Sequence, residues 1–299
     1  PQFRYRGRYW RGRSGGDDTA TAKVWAQMLG GYAKFGASDK TNRGTAKTDM
    51  VGGQFGWDYQ VSDTFLFGLT AGFAHSNTKQ DEDKMMVQDY RAGFYTGSRY
   101  GRVSVDTVVL GGIQQYEGRR FTDITGLTAM SKSSYKGYSV EGGVNLSLET
   151  GRMPRRDHTF GIRPYVSANV SYTHHDAYKE KGDTESINLS VSDANDTSVS
   201  VQPGLQFSYM WADAVLTLDA GWQRLLTGGN PTTKAYFIND ASRTSFESLA
   251  DDADKDYLSL SVGLESNLSR RTRLKLWADQ KRSDNNVIST LSAAVQYAF

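Results

Sequence analysis

The feature that most constrains this chain is a two-residue alternation of apolar with polar or small side chains, sustained over segments of ten or more residues. Between residues 65 and 74 the odd positions are Phe, Phe, Leu, Ala and Phe, and the even positions are mostly small or polar. The segments 199–211 and 257–265 repeat the pattern. Because successive side chains of a β-strand point to opposite faces, the pattern predicts long strands that each have one apolar face.

The number and the connections of these segments narrow the fold class. About twelve strands are predicted, an even number, and they start near Val24, Met50, Thr64, Met86, Arg102, Tyr135, Phe160, Val199, Ala214, Asp256, Thr272 and Asn286. Short turns are predicted at 61–64, 100–102, 211–213 and 267–271, with a longer connection at 149–158. Long polar loops are predicted at 37–48, 77–84, 117–132, 176–197 and 226–255, with a shorter one at 280–285. This arrangement is typical of an all-β transmembrane antiparallel β-barrel with short periplasmic turns and long extracellular loops.

Composition excludes several other classes of protein. The chain has no cysteine, which rules out disulfide scaffolds, thiolate metal sites and a cysteine nucleophile. Its net charge of +2 is no general basic excess, so nucleic acid is not an expected partner. The longest nearly unbroken apolar stretch, 65–74, is much shorter than the roughly 18 residues that a membrane helix needs. The first residues lack the apolar core of a signal peptide, so we expect either a cytosolic chain or a mature fragment.

The polar faces of the predicted strands carry isolated charges. If the strands close into a barrel, nine charged residues are predicted to face the lumen, and they are Asp58, Arg91, Asp106, Glu141, Arg163, Asp219, Glu265, Arg273 and Lys275. A soluble β-sandwich or propeller is the competing prediction, but such folds have strands of about five or six residues, and the chain shows no repeat. The mixed signs leave two interpretations open: internal ion pairs in a wet lumen, or groups that contact a chain in transit.

Aromatic and proline residues also lie at informative positions. Pairs of aromatic residues close the second, eighth and last predicted strands, as in the girdle of a membrane barrel: Trp57 with Tyr59, Tyr209 with Trp211, and Tyr297 with Phe299. Pro164 and Pro203 are predicted to point to lipid from within strands. Because proline removes a ladder donor, a local bulge is expected at each.

The opening strands carry a family resemblance. Trp25-Ala26-Gln27 leads to Gly30-Gly31-Tyr32, and the run 52–59 reads Gly-Gly-Gln-Phe-Gly-Trp-Asp-Tyr. After a tight turn, the run 67–73 reads Phe-Gly-Leu-Thr-Ala-Gly-Phe. These segments resemble the C-terminal translocator domain of classical autotransporters, the type V secretion proteins of Gram-negative bacteria, and the resemblance covers roughly residues 21–299.

The resemblance implies a function and a location. Residues 21–299 are expected to be an outer-membrane β-barrel translocator domain, which takes part in secretion or surface display of its own N-terminal passenger. The implied partners are the lipid of the bacterial outer membrane at the cell surface, the passenger in cis, and the barrel-assembly machinery during biogenesis; a monomer is expected. The resemblance implies no enzymatic activity and no cofactor. A free-standing porin-like channel is the alternative function, and an outer-membrane enzyme is a third.

The last residues resemble the segment by which the assembly machinery recognises bacterial barrels. Its candidate signal residues are Val295, Tyr297 and Phe299, although Ala294 stands where glycine is usual. An ordinary last strand would explain the alternation of these residues but not the terminal phenylalanine.

Residues 1–20 are predicted to be a linker or a segment that occupies the lumen. Relatives often have a lumenal helix here, but four glycines within 7–16 disfavour a helix. Five arginines and no acid before Asp17 would complement the lumen carboxylates, and the segment is long enough to cross the membrane. A disordered tail is the alternative. No Asn-Asn step precedes the barrel, so the self-cleavage of some relatives is not expected.

Histidine and acidic residues predict no catalytic or metal site. His75 and Ser76 are neighbours on a predicted strand and therefore face opposite sides, as do His174 and His175. The acidic runs 81–83 and 251–254 lack the spacing of a calcium-binding loop. We therefore expect no catalytic, cofactor-binding or metal-ligating residues.

Overall fold

A computed structural model of the chain describes residues 22–37, 44–124, 127–150, 152–155, 158–228, 232–249 and 254–299. Twelve long strands of 11 to 22 residues form one antiparallel barrel. They are β1 Ala22–Phe35, β2 Ala46–Ser62, β3 Phe65–Gln80, β4 Asp83–Tyr100, β5 Val103–Ile124, β6 Leu127–Leu148, β7 His158–His175, β8 Ala194–Trp211, β9 Ala214–Thr227, β10 Asp256–Asn267, β11 Thr272–Arg282 and β12 Asn286–Ala298. The predicted segment 1–20 lies outside the described residues.

The barrel closes because the first and last strands pair. Each strand pairs with the next along the chain, and β1 pairs with β12 from Lys23 opposite Ala298 to Phe35 opposite Asn286. Where all twelve strands pair, closure leaves no open sheet edge, which is a requirement for a β-structure within lipid. The predicted fold class, a closed twelve-stranded antiparallel barrel, is confirmed.

The strand faces have the polarity of a membrane barrel. In β2, Thr48 and Asp58 are buried on the inner face, whereas Val51, Phe55 and Trp57 are exposed on the outer face. The other strands repeat this arrangement, with Phe73 in β3, Ile113 in β5 and Leu291 in β12 exposed on the outer face. Apolar side chains on the outside and polar side chains on the inside match a lipid-facing wall around a wet interior.

Two of the predicted long loops are wrong. The segment 77–84 is mostly strand, because β3 continues to Gln80 and β4 begins at Asp83. The segment 117–132 is also strand, since β5 and β6 continue in register from Tyr116 opposite Tyr135 to Ile124 opposite Leu127. These hairpins extend past the apolar part of the wall, where the backbone ladder continues although the side chains are polar.

The long connections β7–β8 and β9–β10 fold together into a small second sheet. Its four short strands are Tyr178–Lys179, Leu189–Val191, Thr232–Phe237 and Phe246–Leu249, and a 3₁₀ turn lies at Glu185–Ile187. Arg120 of β5 joins this layer to the barrel, since its guanidinium donates to both carboxylate oxygens of Glu180 at 3.0 and 2.6 Å. Ser131 of β6 adds a hydrogen bond of 2.7 Å to Asn188.

Each strand proline interrupts one ladder without shifting the strand register. The pairing of β7 with β6 stops at Tyr165 opposite Ser147, beside Pro164, but the bond from the Thr150 amide to the Ile162 carbonyl continues the same register beyond the proline. In the β8–β9 ladder, positions 202 and 203 are unpaired, and pairing resumes at Gly204 opposite Gly221 in the register that it had before Pro203. Each proline therefore leaves out a ladder bond that its missing N–H cannot donate, and the local bulge expected at each is not found there.

Candidate functional site

The interior of the barrel holds a cavity of about 750 Å³. Side chains from every strand except β6 line it, and many of them are polar or charged. Lys23 and Trp25 are among the lining residues, so the beginning of β1 lies at the wall of the cavity. The cavity is the candidate functional site.

Six of the nine predicted lumen charges line this cavity: Asp58, Asp106, Arg163, Glu265, Arg273 and Lys275. Glu265 forms ion pairs with Arg273 at 3.0 Å and with Lys275 at 3.7 Å. The Arg163 guanidinium donates to the Ser147 hydroxyl at 2.9 and 2.6 Å.

The other three predicted charges lie in the barrel wall. Arg91 bridges the carboxylates of Asp89 and Glu141 at 2.5 and 2.8 Å, and its side chain is only 12% exposed. This arrangement joins β4 to β6 across β5. Asp219 of β9 accepts a hydrogen bond of 2.9 Å from the Tyr165 hydroxyl, which in turn accepts one of 2.9 Å from Gln202.

A buried network surrounds Asp58. The Trp25 indole donates to Asp58 Oδ1 at 3.1 Å and to the Tyr95 hydroxyl at 2.8 Å, and Tyr95 also donates to Asp58. Gln296 of β12 donates to the second carboxylate oxygen at 3.3 Å. The network therefore ties four strands, β1, β2, β4 and β12, around the seam where the barrel closes.

Inward-facing glycines provide the space for these aromatic rings. A Cβ atom at Gly56 would overlap the Trp25 ring, and one at Gly68 would overlap the Tyr95 ring. On the opposite wall, Tyr165 lies over Gly204 in the same way. Sequence reasoning selected Asp58 but missed the aromatic partners. An inward glycine across from an inward aromatic residue is the signal that could have identified them.

The candidate assembly-signal residues lie on the outer face of the last strand and just after it. Val295 and Tyr297 are exposed in β12, and the exposed Phe299 ring meets the Tyr297 ring edge-on with centroids 5.4 Å apart. The Phe299 amide donates to the Ala22 carbonyl at 3.2 Å, so the backbone stays at the seam after the strand has ended.

The histidines form no catalytic pair within the described residues. The His75 side chain is exposed on the outer face, whereas Ser76 is buried on the inner face. His174 Nδ1 lies 2.7 Å from the Asn195 side-chain oxygen on the barrel exterior. No group of three or more His, Cys, Asp or Glu residues suited to a metal ion occurs in the described ranges. The described residues also contain no helix that is long and apolar enough to span a membrane.

Comparisons with known proteins agree with this architecture. The structure is similar to the translocator domain of the autotransporter NalP from Neisseria meningitidis, with a TM-score of 0.76, 15% identity, and coverage of 95% of this chain and 90% of that one. It is also similar to the transport unit of AIDA-I from Escherichia coli, with a TM-score of 0.71, 14% identity, and coverage of 97% and 92%. The toluene transporter TbuX from Ralstonia pickettii gives a TM-score of 0.51 at 10% identity, with coverage of 93% and 90%.

At the level of sequence, a search of curated proteins gives no significant match. A family model described as the autotransporter β-domain, however, matches residues 24–279, which is most of the barrel. The chain therefore belongs to the autotransporter β-domain family.

Proposed function

We propose that this barrel is an outer-membrane translocator domain that takes part in secretion or surface display of a passenger located N-terminal to it in the same chain. Membership of the autotransporter β-domain family supports the proposal most directly. The family is one of transport barrels, and we expect the isolated domain to hydrolyse neither lipid nor peptide. The proposed location is the bacterial outer membrane, with its lipid around a monomeric barrel.

The position of β1 also supports this role. Its N-terminal end lies at the rim with the short turns, next to the end of β12. Lys23 lines the cavity there, so a segment that precedes Ala22 can enter the lumen directly. Polar groups on all sides of the cavity would keep such a segment hydrated. The charges that line the cavity are of both signs, as Asp106 and Arg163 illustrate, which favours passage of chains of varied sequence.

The test is surface display of a reporter passenger. A signal peptide and a short unfolded epitope are placed before Pro1 in Gram-negative cells, and protease is added to intact cells. We expect cleavage of the epitope while a soluble periplasmic protein in the same cells stays protected. A barrel that is folded in the membrane, as judged by gel migration without boiling, but keeps the epitope inside the cell would contradict the proposal.

A porin-like channel is the second candidate. The open cavity and the structural likeness to the toluene transporter TbuX favour it. A channel function predicts steady conductance of the whole chain and solute uptake by cells without any passenger. A translocator predicts low conductance while the N-terminal segment is present.

A further inference from the structure

A row of basic residues crosses the outer surface of six neighbouring strands near their extracellular ends. Strand register places each one directly opposite the next. We name this row the basic stripe, and from β1 to β6 its members are Lys34, Lys47, Lys79, Lys84, Arg119 and Lys132. Lys181, in a short strand paired with β6, lies opposite Lys132 and continues the row.

The stripe faces away from the lumen. All six side chains are exposed, and none of them lines the cavity. The residues beside them on the strands point inward: Thr48 and Thr78, for example, share a hydrogen bond of 2.8 Å between their hydroxyl groups on the inner face. Because side chains alternate along a strand, Lys47 and Lys79 point outward toward the surroundings of the barrel.

A row of like charges is unfavourable unless anions neutralise it. Charges of the same sign directly opposite each other destabilise a strand pair, and neighbouring strands are only about 4.8 Å apart. Among the described residues, no ion pair involves a member of the stripe. Asp49 and Glu117 lie in the next outward row, and neither forms an ion pair with the stripe there. The barrel therefore presents a row of basic side chains that, among the described residues, no neighbouring carboxylate holds in an ion pair, although Asp49, Asp81, Glu82 and Glu117 each lie two residues from a member of the row.

The stripe runs obliquely upward across the part of the barrel surface that lies just above the apolar wall. Rows of paired residues run across the strands, and strands in such barrels tilt by about 35–45°, so six strands carry the row upward by about 15 Å. The sequence positions agree with this slope. Lys34 lies two residues beyond the exposed Tyr32, whereas Lys132 lies six residues beyond the exposed Tyr138. The lower end of the stripe is thus near the edge of the hydrocarbon layer and the upper end is well above it.

The other half of the barrel has no such row. Within the bounds of β7–β12, the outward positions near the extracellular ends include only two Arg or Lys residues, Arg224 and Arg282. Arg224 already faces the Asp256 carboxylate at 3.4 Å. The positive surface is therefore confined to one side, as expected for a binding surface and not for a general solubilising charge.

We propose that the basic stripe binds the phosphorylated headgroups of lipopolysaccharide in the outer leaflet. Lysine is a common ligand of phosphate, and a headgroup with phosphates at several heights complements a row that climbs through the same layer. The bound lipid relieves repulsion across five strand pairs. It attaches the first six strands, including the β1 side of the seam, to an ordered layer of lipid. This contact is separate from passenger transport and does not depend on it.

The test compares two variants that lose the same charge. The stripe variant carries Lys47→Gln, Lys79→Gln, Lys84→Gln and Lys132→Gln. The matched control carries Arg102→Gln, Arg243→Gln, Lys255→Gln and Arg270→Gln, four exposed positions away from the stripe. For each full-length barrel in nonionic detergent, the temperature at which the folded gel migration is lost is measured alone and with bisphosphorylated lipopolysaccharide, dephosphorylated lipopolysaccharide or cardiolipin.

Two results are expected together. In detergent alone, the stripe variant is at least as heat-resistant as the wild type, because the repulsion has been removed. Bisphosphorylated lipopolysaccharide raises the transition temperature of the wild type and of the control, and at least half of that rise is lost in the stripe variant. An equal rise in the stripe variant would overturn the proposal. So would an equal rise of the wild type with dephosphorylated lipopolysaccharide or with cardiolipin.

Discussion

At the scale of single residues, the inner wall contains pairs in which a large aromatic side chain packs over a glycine. Tyr95 is completely buried against Gly68, and its hydroxyl group reaches Asp58. Trp25 uses the space at Gly56 to reach the same carboxylate. Because the glycines have no Cβ atom, the Trp25 and Tyr95 rings can lie across the wall and donate hydrogen bonds to the buried Asp58 carboxylate. A buried carboxylate without such partners would destabilise the fold.

Gly68→Ala is therefore expected to destabilise the barrel by about 1–3 kcal/mol, because the added methyl group must displace the Tyr95 ring. Gly111→Ala, where a Cβ atom would meet nothing within 4 Å, is the matched control and should be nearly neutral. Urea unfolding in lipid vesicles measures both. In a Tyr95→Ala background the extra cost of Gly68→Ala should disappear. Equal effects of the two alanines in the wild-type barrel would refute the explanation.

At the scale of elements, an ion pair between Arg120 and Glu180 helps to hold the small sheet of the long loops against the barrel, together with the Ser131–Asn188 hydrogen bond. Glu180 is 6% exposed, and besides Arg120 it accepts the Leu189 amide at 2.9 Å. Arg120 also donates to the Ile187 carbonyl at 2.8 Å. One guanidinium thus holds both sides of the 3₁₀ turn, and the Glu180 carboxylate raises the pKa of Arg120, which stays charged at any ordinary pH.

Arg120→Gln should loosen this layer without opening the barrel. We expect amide exchange at Leu189 to become at least tenfold faster, while the folded gel migration stays unchanged. Arg119→Gln is the control, since Arg119 is the adjacent residue on β5 but points outward. Hydrogen exchange followed by mass spectrometry separates the two outcomes, and unchanged protection of Leu189 in Arg120→Gln would contradict the role of the ion pair.

The last strand carries a second expectation at this scale. Tyr297→Ser with Phe299→Ser should strongly reduce assembly in cells, whereas refolding in detergent should persist because the Phe299 backbone bond to Ala22 does not need the ring. The proposed partner is the barrel-assembly machinery, which would read the aromatic rings. Leu291→Ser removes an equally exposed apolar side chain from the same strand outside the signal. Comparable loss with Leu291→Ser would point to general lipid contact instead of a signal.

The sequence could predict the strands but not where each one stops. Alternation located β9, β10, β11 and β12 at their observed starts, since apolar faces begin and end with those strands. It failed at Lys84 and Arg119, which lie opposite each other in register although their side chains are charged. Backbone hydrogen bonds continue wherever two chains stay in register, and hydrophobicity does not report them. Contacts across the lumen, such as Trp25 with Tyr95, depend on strand order and closure and so could not be predicted from a local pattern.

At the scale of the whole molecule, the cavity can hold a polypeptide segment or remain an open pore. Deleting residues 1–20 should raise single-channel conductance in planar bilayers if that segment occupies the lumen. The lumen offers Asp58, Asp106 and Glu265 as possible partners for the five arginines of the segment. Substituting those arginines with glutamine should raise conductance in the same direction, most clearly at low salt, where charge pairing is strongest. Unchanged conductance of the deletion variant at low salt would eliminate the plug.

The pairing of β1 with β12 makes the barrel a ring in which no strand is structurally first. Ala22 and Phe299 are hydrogen-bonded at one rim, so a short peptide could join them, and new termini could be placed in the turn between β2 and β3. Such a circular permutant keeps every strand pair. It would, however, attach a leading polypeptide at a different point of the rim, at the start of β3 instead of β1. The fold and the route of an attached chain are therefore separable properties of this sequence, and the order of the strands along the chain determines only the second.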